Sequence, residues 1–381
     1  MIREVKLKMN LKQMLAEVLA RKASDLHLRV GVKPTIRVDG ALLFLECENL
    51  TQADMDETMS QILTEEQKER FLKKNELDLA LSISKMGRFR INFYRQRGTV
   101  GIAIRTVHTL VPSFEELNLP KILKDLANNR RGLIILTGTT GSGKSTTLAS
   151  MIERINATRS ENILTIEDPI EYIHKDRKSI ICQREVGGDT ESFVTALRHA
   201  LRQDPDVILV GEIRDYETMS IAVTAADTGH LVLTTLHTLN AIETLNRIIS
   251  FYPPHQHQQI RLLLAATLKA IVCQRLLPRA DGPGRIPAVE VLVSTASVRE
   301  YIIDPMKTPL IIELIESGNI QYGMQSFDQS IMQLYKDGYI SYDEAIQQCT
   351  NPDDFELRVK GITGASDRGW TEFEQARKKS S

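Results

Sequence analysis

The chain has 381 residues, 42% of them hydrophobic and 25% charged, with a formal net charge of −1. That length suggests two or three domains with ample material for a packed core, and the near-neutral balance gives no global electrostatic case for nucleic acid or an anionic membrane, leaving only a local basic patch. The four cysteines, Cys47, Cys182, Cys273 and Cys349, fall in no CxxC spacing, so neither a zinc ribbon nor a redox pair is indicated.

The N-terminal stretch lacks the apolar core of a secretory leader, and no apolar run reaches the ~18–20 residues that span a bilayer. A cytoplasmic address is expected, with peripheral docking on a membrane machine left open. Leu11, Met14, Leu15, Val18 and Leu19 repeat with the spacing of an amphipathic helix. The runs "DLHLRV" and "PTIRVDGALLFL" alternate and contain Asp39-Gly40, a hairpin signal. Residues 51–73 read as one polar helix. In "GRFRINFYRQRGTVGIAIRTV", a second hairpin, Phe89, Ile91 and Phe93 point one way and Arg88, Arg90 and Asn92 the other; Val100, Ile102 and Ile104 return, with Arg105 on the opposite face. Together these predict an α+β domain over 1–105. A linker follows over 106–118, in which Ser113 and Glu116 form a capping box that should start the next helix.

From about residue 131 the pattern changes. Four apolar runs, "GLIILTG", "NILTIED", "DVILVGE" and "HLVLTTLH", alternate with helical stretches, which predicts an α/β domain with a buried parallel sheet over 119–294. A helical region is expected over 295–365, with helices at Ser326–Lys336 and Ser341–Gln348, a turn at Gly338 and a break at Asn351-Pro352. Residues 366–381 read as a polar tail.

The chemistry starts at "GTTGSGKSTT". Gly138, Thr139, Thr140, Gly141, Ser142, Gly143, Lys144, Ser145 and Thr146 satisfy the phosphate-loop pattern, between an apolar strand and a helix carrying Leu148, Met151, Ile152 and Ile155 on one face. Glycines let backbone N–H groups converge on phosphate oxygens, and the helix N-terminus adds its positive end. Lys144 would reach the β- and γ-phosphates and the Ser145 hydroxyl would coordinate Mg²⁺. Ligands of parallel sheets sit at the carboxyl ends of the strands. There stand Glu212, which could hold Mg²⁺ through water or orient the attacking water, and the cluster Glu167, Asp168 and Glu171 around Pro169. His230 and His237 bracket the fourth run and could report on the γ-phosphate. His255 and His257 form an H-x-H pair without an evident third metal ligand.

In order and spacing, "GTTGSGKSTT", "TIEDPIEYIH", "RQDPDVILVGEIRD" and "TAADTGHLVLTTLHT" resemble the Walker A, Asp box, Walker B and His box of secretion-type traffic ATPases. The set is most similar to the type IV pilus retraction ATPases, the PilT/PilU family, and "SDLHLRVGVKPTIRVDG", "GRFRINFYRQRG" and the PilU-like "GMQSFDQSIMQLYKDGYISYDEAI" extend the resemblance over residues 10–360. It implies a homohexameric ATPase ring with a PAS-like N-terminal domain and a RecA-like ATPase domain, sited on the cytoplasmic side of an inner-membrane pilus platform protein. It also implies catalytic roles for Glu171 and Arg247, and charge supplied to the phosphates by N-terminal arginines, for which Arg90, Arg97 and Arg105 are preferred over Arg88 and Arg95. Thr139 stands where proline is common in this loop. Two other readings stay open: an ATPase of pilus assembly or secretion, against which the missing tetracysteine module counts, and an accessory retraction ATPase beside another motor. A nucleic-acid role is not expected.

Overall fold

The computed structural model describes residues 10–38, 40–84 and 86–362. Asp39 of the expected Asp39-Gly40 turn and the tail over 366–381 lie outside the described residues. The chain forms two compact units, Met1–Leu110 with Glu171–Ile173, and Val111–Ile170 with His174–Ser381.

In the first unit, α1 (Leu11–Ala20) starts on a capping box between Asn10 and Gln13 and buries Leu11, Met14, Leu15 and Val18. Leu19, expected on the same face, is exposed. Strands β1 (Asp25–Arg29), β2 (Thr35–Val38) and β3 (Ala41–Phe44) follow, with β2 and β3 pairing antiparallel up to Val38 opposite Ala41. The single polar helix expected over 51–73 is two helices, α2 (Gln52–Ile62) and α3 (Glu65–Lys74). The break has a local cause. Thr64 is extended; its hydroxyl accepts the Gln67 N–H at 3.3 Å, and the Gln67 side chain accepts the Thr64 N–H at 3.0 Å, so a new helix is capped there. With β4 (Glu76–Ile83), β5 (Gly87–Gln96) and β6 (Thr99–Thr106), the strands form one antiparallel sheet in the order β3-β2-β1-β6-β5-β4. Phe89, Ile91, Phe93, Val100, Ile102 and Ile104 bury in its core, as their alternation predicts.

The second unit opens with a correction. Ser113 and Glu116 do form a capping box, at 2.7 and 3.2 Å, but it heads only a turn, because Asn118 takes φ +52° and Pro120 follows. The first helix of the unit is α4 (Ile122–Ala127). Then come β7 (Gly132–Thr137), α5 (Lys144–Thr158), β8 (Asn162–Glu167), β9 (Ile180–Glu185), α6 (Phe193–Ala200), β10 (Val207–Val210), α7 (Tyr216–Asp227), β11 (Leu231–Leu236), α8 (Ala241–Ser250), α9 (His257–Thr267), β12 (Leu268–Pro278) and β13 (Arg285–Val293). The sheet order is β13-β12-β7-β11-β10-β8-β9, parallel except for β13. The four apolar runs of the sequence are its fully or largely buried centre, β7, β11, β10 and β8.

Among the described residues, six α-helices follow β13: α10 (Ala296–Ile303), α11 (Ile311–Ser317), α12 (Asn319–Tyr322), α13 (Phe327–Lys336), α14 (Tyr342–Gln348) and α15 (Pro352–Val359). Asn351-Pro352, expected to end a run, also begins one: the Asn351 side chain accepts the Asp354 N–H, and Pro352 occupies the first turn, where its missing N–H costs nothing. These helices are part of the sheet's core, since Phe327, Ile331, Met332 and Phe355 bury in one cluster with Leu133, Ile135 and Ile208. The other sheet face is covered by α4 and α5 through Leu123, Leu148, Met151, Ile152 and Ile155. Among the described residues, no helix is long and apolar enough to cross a membrane.

Candidate nucleotide site

All six residues of β7 are buried, and the chain leaves the strand through a loop whose three glycines take positive φ: Gly138 at +142°, Gly141 at +79° and Gly143 at +91°. These conformations are open to glycine and disfavoured for other residues. Gly138 is also sterically required, since a Cβ would lie 2.3 Å from the Gln274 carbonyl oxygen; at Gly143 a Cβ would lie 2.8 Å from Gln274 Nε2, so that side chain would have to move. Helix α5 begins on Gly143 with no side-chain cap, whereas Asp215 and Asn240 cap α7 and α8 with their side chains. The positive end of the α5 dipole therefore faces the loop with no side-chain oxygen of its own cap residue in the way, which suits an anion there.

Two side chains reinforce that fit. Lys144 is buried, and its Nζ donates to the carbonyls of Gly138 at 2.7 Å and Thr139 at 2.9 Å, which holds the ammonium at the loop. Ser142 Oγ is buried there without a protein hydrogen-bond partner. Thr139, Thr140, Gly141 and Ser145 are exposed along the rim. Amide N–H groups, an ammonium and hydroxyls are the donor set a polyphosphate needs, and the Ser145 hydroxyl with nearby strand-end carboxylates is an all-oxygen set suited to Mg²⁺.

β10 ends two residues before Glu212, and β11 ends one before His237. Because β7, β11 and β10 are consecutive neighbours in the sheet, these residues emerge at the same edge as the phosphate loop. Glu212 is largely buried, with its side chain 15% exposed, and both of its oxygens are engaged: Oε2 by His237 Nε2 at 3.1 Å and Oε1 by the Arg214 guanidinium. Glu167, at the end of β8, accepts from Thr165 Oγ1 at 2.7 Å and Gln183 Nε2 at 3.2 Å. Asp168 is exposed.

Other expected site residues are dispersed. Glu171 belongs to the short segment grouped with the first unit, where its carbonyl accepts the His108 N–H at 3.2 Å and the Tyr172 ring stacks on His108 at 5.3 Å. His230 precedes β11 rather than following it, so six residues of strand, roughly 20 Å, separate it from His237. Its Nδ1 is 2.8 Å from the Ala225 carbonyl oxygen, at the end of α7 away from the loop. Arg247 lies on exposed α8 surface with its guanidinium 4.8 Å from the Phe251 ring centre. His257 Nε2 contacts the Tyr252 carbonyl at 2.9 Å, and no metal-ligating cluster exists among the described residues.

The hairpin arginines are not one cluster either. Arg105 donates to Asp25 at 2.7 Å. Burial pushes the Asp25 carboxyl up, but the Ser24 hydroxyl and Arg105 outweigh it and hold it below the usual carboxylate range. Arg90 is the cross-strand partner of Arg105. Arg97 sits in the left-handed conformation at the hairpin tip, φ +51°, about 20 Å along β5 from Arg90. Arg95 packs over Phe71 at 5.9 Å, and Arg88 shares the strand face of Arg90.

The sequence reading missed Arg214 and Gln274. Arg214 lay in plain view two positions after Glu212. The only trace of Gln274 was a lone polar residue in the apolar run "AIVCQRLL".

Residues 4–300 match the family described as type II/IV secretion system protein. The chain is 41% identical to the type IV pilus ATPase PilU of Pseudomonas aeruginosa, over 92% of this chain and 92% of that protein. It is 38% identical to the type IV pilus retraction ATPase PilT of the same organism, over 91% of this chain and 100% of PilT. A crystal structure of the pilus retraction motor PilT with bound ADP matches with a TM-score of 0.85 at 41% identity, covering 92% of this chain and 99% of that one.

Proposed function

The chain belongs to the type II/IV secretion system protein family, among its PilT- and PilU-like type IV pilus ATPases, and from that premise we propose that it hydrolyses ATP to drive pilus retraction. Full-length similarity to retraction ATPases supports the biological role. The observation that carries the chemistry is Glu212 held at the phosphate-loop edge by His237 at 3.1 Å.

In this reading the α5 N–H groups, Lys144 and the loop from Gly138 to Thr146 bind the β- and γ-phosphates of ATP. Ser145, Glu167 and Glu212 are the candidate holders of Mg²⁺, which when bound would neutralise charge on the phosphate oxygens. Glu212 orients the attacking water and accepts its proton, while His237 fixes the carboxylate. The products are ADP and inorganic phosphate. His230 and Arg247 lie away from the loop in their own chain, so catalytic roles for them require a neighbouring copy; phosphate contact by Arg90, Arg97 or Arg105 belongs to the proposed closure of an N-terminal domain. The assembly proposed is a homohexamer of PAS-like and RecA-like domains. Nucleotide-driven domain closure would do its work on an inner-membrane platform protein from the cytoplasmic side, with a second retraction ATPase as a further partner.

Steady-state phosphate release tests the chemistry. Lys144→Ala and Glu212→Ala should each lower turnover at least ~100-fold. Near wild-type turnover in Glu212→Ala removes that residue from the mechanism. Pilus retraction measured in a deletion strain separates the retraction role from assembly or secretion, and saturable stimulation of turnover by DNA would overturn the pilus reading.

A further inference from the structure

We propose that Gln274, on β12, is a positioning residue that sets the geometry of the phosphate loop. The inference rests on the nucleotide reading of that loop. β12 runs parallel beside β7, with Cys273 opposite Thr137, the last residue of β7. Gln274 is thus the first strand residue to run past the point where the chain leaves β7 at Gly138. Its carbonyl oxygen fills the space where Gly138 would carry a Cβ, and its amide nitrogen fills the corresponding space at Gly143. Its Oε1 accepts the Thr147 hydroxyl of α5 at 2.9 Å. One side chain therefore touches the far end of the loop and the helix whose N–H groups receive the phosphates, and its own backbone touches the loop's start.

Gln274 is 3% exposed. A buried amide takes its hydrogen bonds from protein, so its position is dictated by these partners and in turn dictates theirs. The backing is rigid. The opposite residue, Val289 on β13, donates its N–H to Ser330 Oγ at 3.0 Å and accepts from Gln325 Nε2 at 2.7 Å. The next residue, Arg275, turns to the other face and donates to the Gln348 carbonyl at 2.8 Å while stacking 4.0 Å from the Phe327 ring centre. The loop is thereby braced against the C-terminal helices through a single strand. Because the Gly138 carbonyl receives Lys144 Nζ, a shift of Gly138 moves the phosphate-binding ammonium too.

Such a brace serves bound ATP and its transition state alike, so its loss should raise KM and leave kcat largely intact. Gln274→Met keeps length and bulk without hydrogen bonds; Thr147→Val removes the partner hydroxyl. Each should raise the KM for ATP and the Kd for ADP about tenfold, the scale of one buried hydrogen bond, with kcat within about twofold. The double variant should be no worse than either single one. Thermal melts of every variant accompany the measurement, and Thr147→Val keeps the test alive if Gln274→Met does not fold. ADP affinity unchanged in folded variants, or a fall in kcat at constant KM, overturns the inference. Failure of the wild-type protein itself to bind ADP would instead sink the nucleotide reading.

Discussion

Glu290 is a carboxylate 3% exposed on β13, bonded to the N–H of Ala241 at the start of α8 at 2.8 Å. Burial raises its pKa from 4.5 to about 6, against the opposing pull of the Ala241 N–H and Arg275. Between those values the folded protein holds a proton that the unfolded chain has released, so stability falls as pH rises through the window and the cost is complete above it. Glu290→Gln keeps the acceptor and drops the charge. In urea denaturation the variant should exceed the wild type by about 1–2 kcal/mol at pH 8, with the gap narrowing at pH 5. An equal difference at both pH values would mean that ionisation is not the cause. At the same scale, the glycine-rich loop after β7 was legible because Gly138, Gly141, Gly143 and Lys144 lie close together in one short stretch of sequence. Gln274 and Arg214 were not singled out, because their importance lies in what they touch after folding.

At the scale of elements, hydrophobic alternation and helical spacing located β5, β6, α1, α5 and the centre of the parallel sheet. Caps decided what those patterns left ambiguous. Thr64 divides residues 51–73 into two helices; Thr64→Ala should cost about 1 kcal/mol in chemical denaturation, and no loss would mean that tertiary packing alone fixes the break. β12 escaped notice because α9 runs into it without a turn residue: Thr267 ends the helix and Leu268 begins the strand. Periodicity places no boundary in a mostly apolar stretch such as 260–273, which only Arg261, Thr267 and Lys269 interrupt. β9 was obscured for the opposite reason, since as an edge strand it is half exposed and has no clear alternation.

For the whole molecule, the C-terminal helices α10, α11, α13, α14 and α15 share a core with the parallel sheet, so a chain ended after Val293 should fail to give a soluble, cooperatively melting protein. A sharp melt from that fragment would show the helices to be an appendage. The first unit has its own core. The second unit's chain leaves it for Glu171–Ile173, which no boundary signal in the sequence announces.

The sequence by itself determined the nucleotide chemistry and the family, because phosphate binding uses a contiguous loop and because strand-end acids and histidines stand beside recognisable apolar runs. Only the tertiary structure decided which of those residues meet. It joined Glu212 to His237, left His230 at the far end of β11, and separated Arg97 from Arg90 and Arg105. The physical reason is that spacing along a chain fixes the face and the end of an element on which a side chain lies, whereas contacts between elements depend on strand order and packing, which no local pattern encodes.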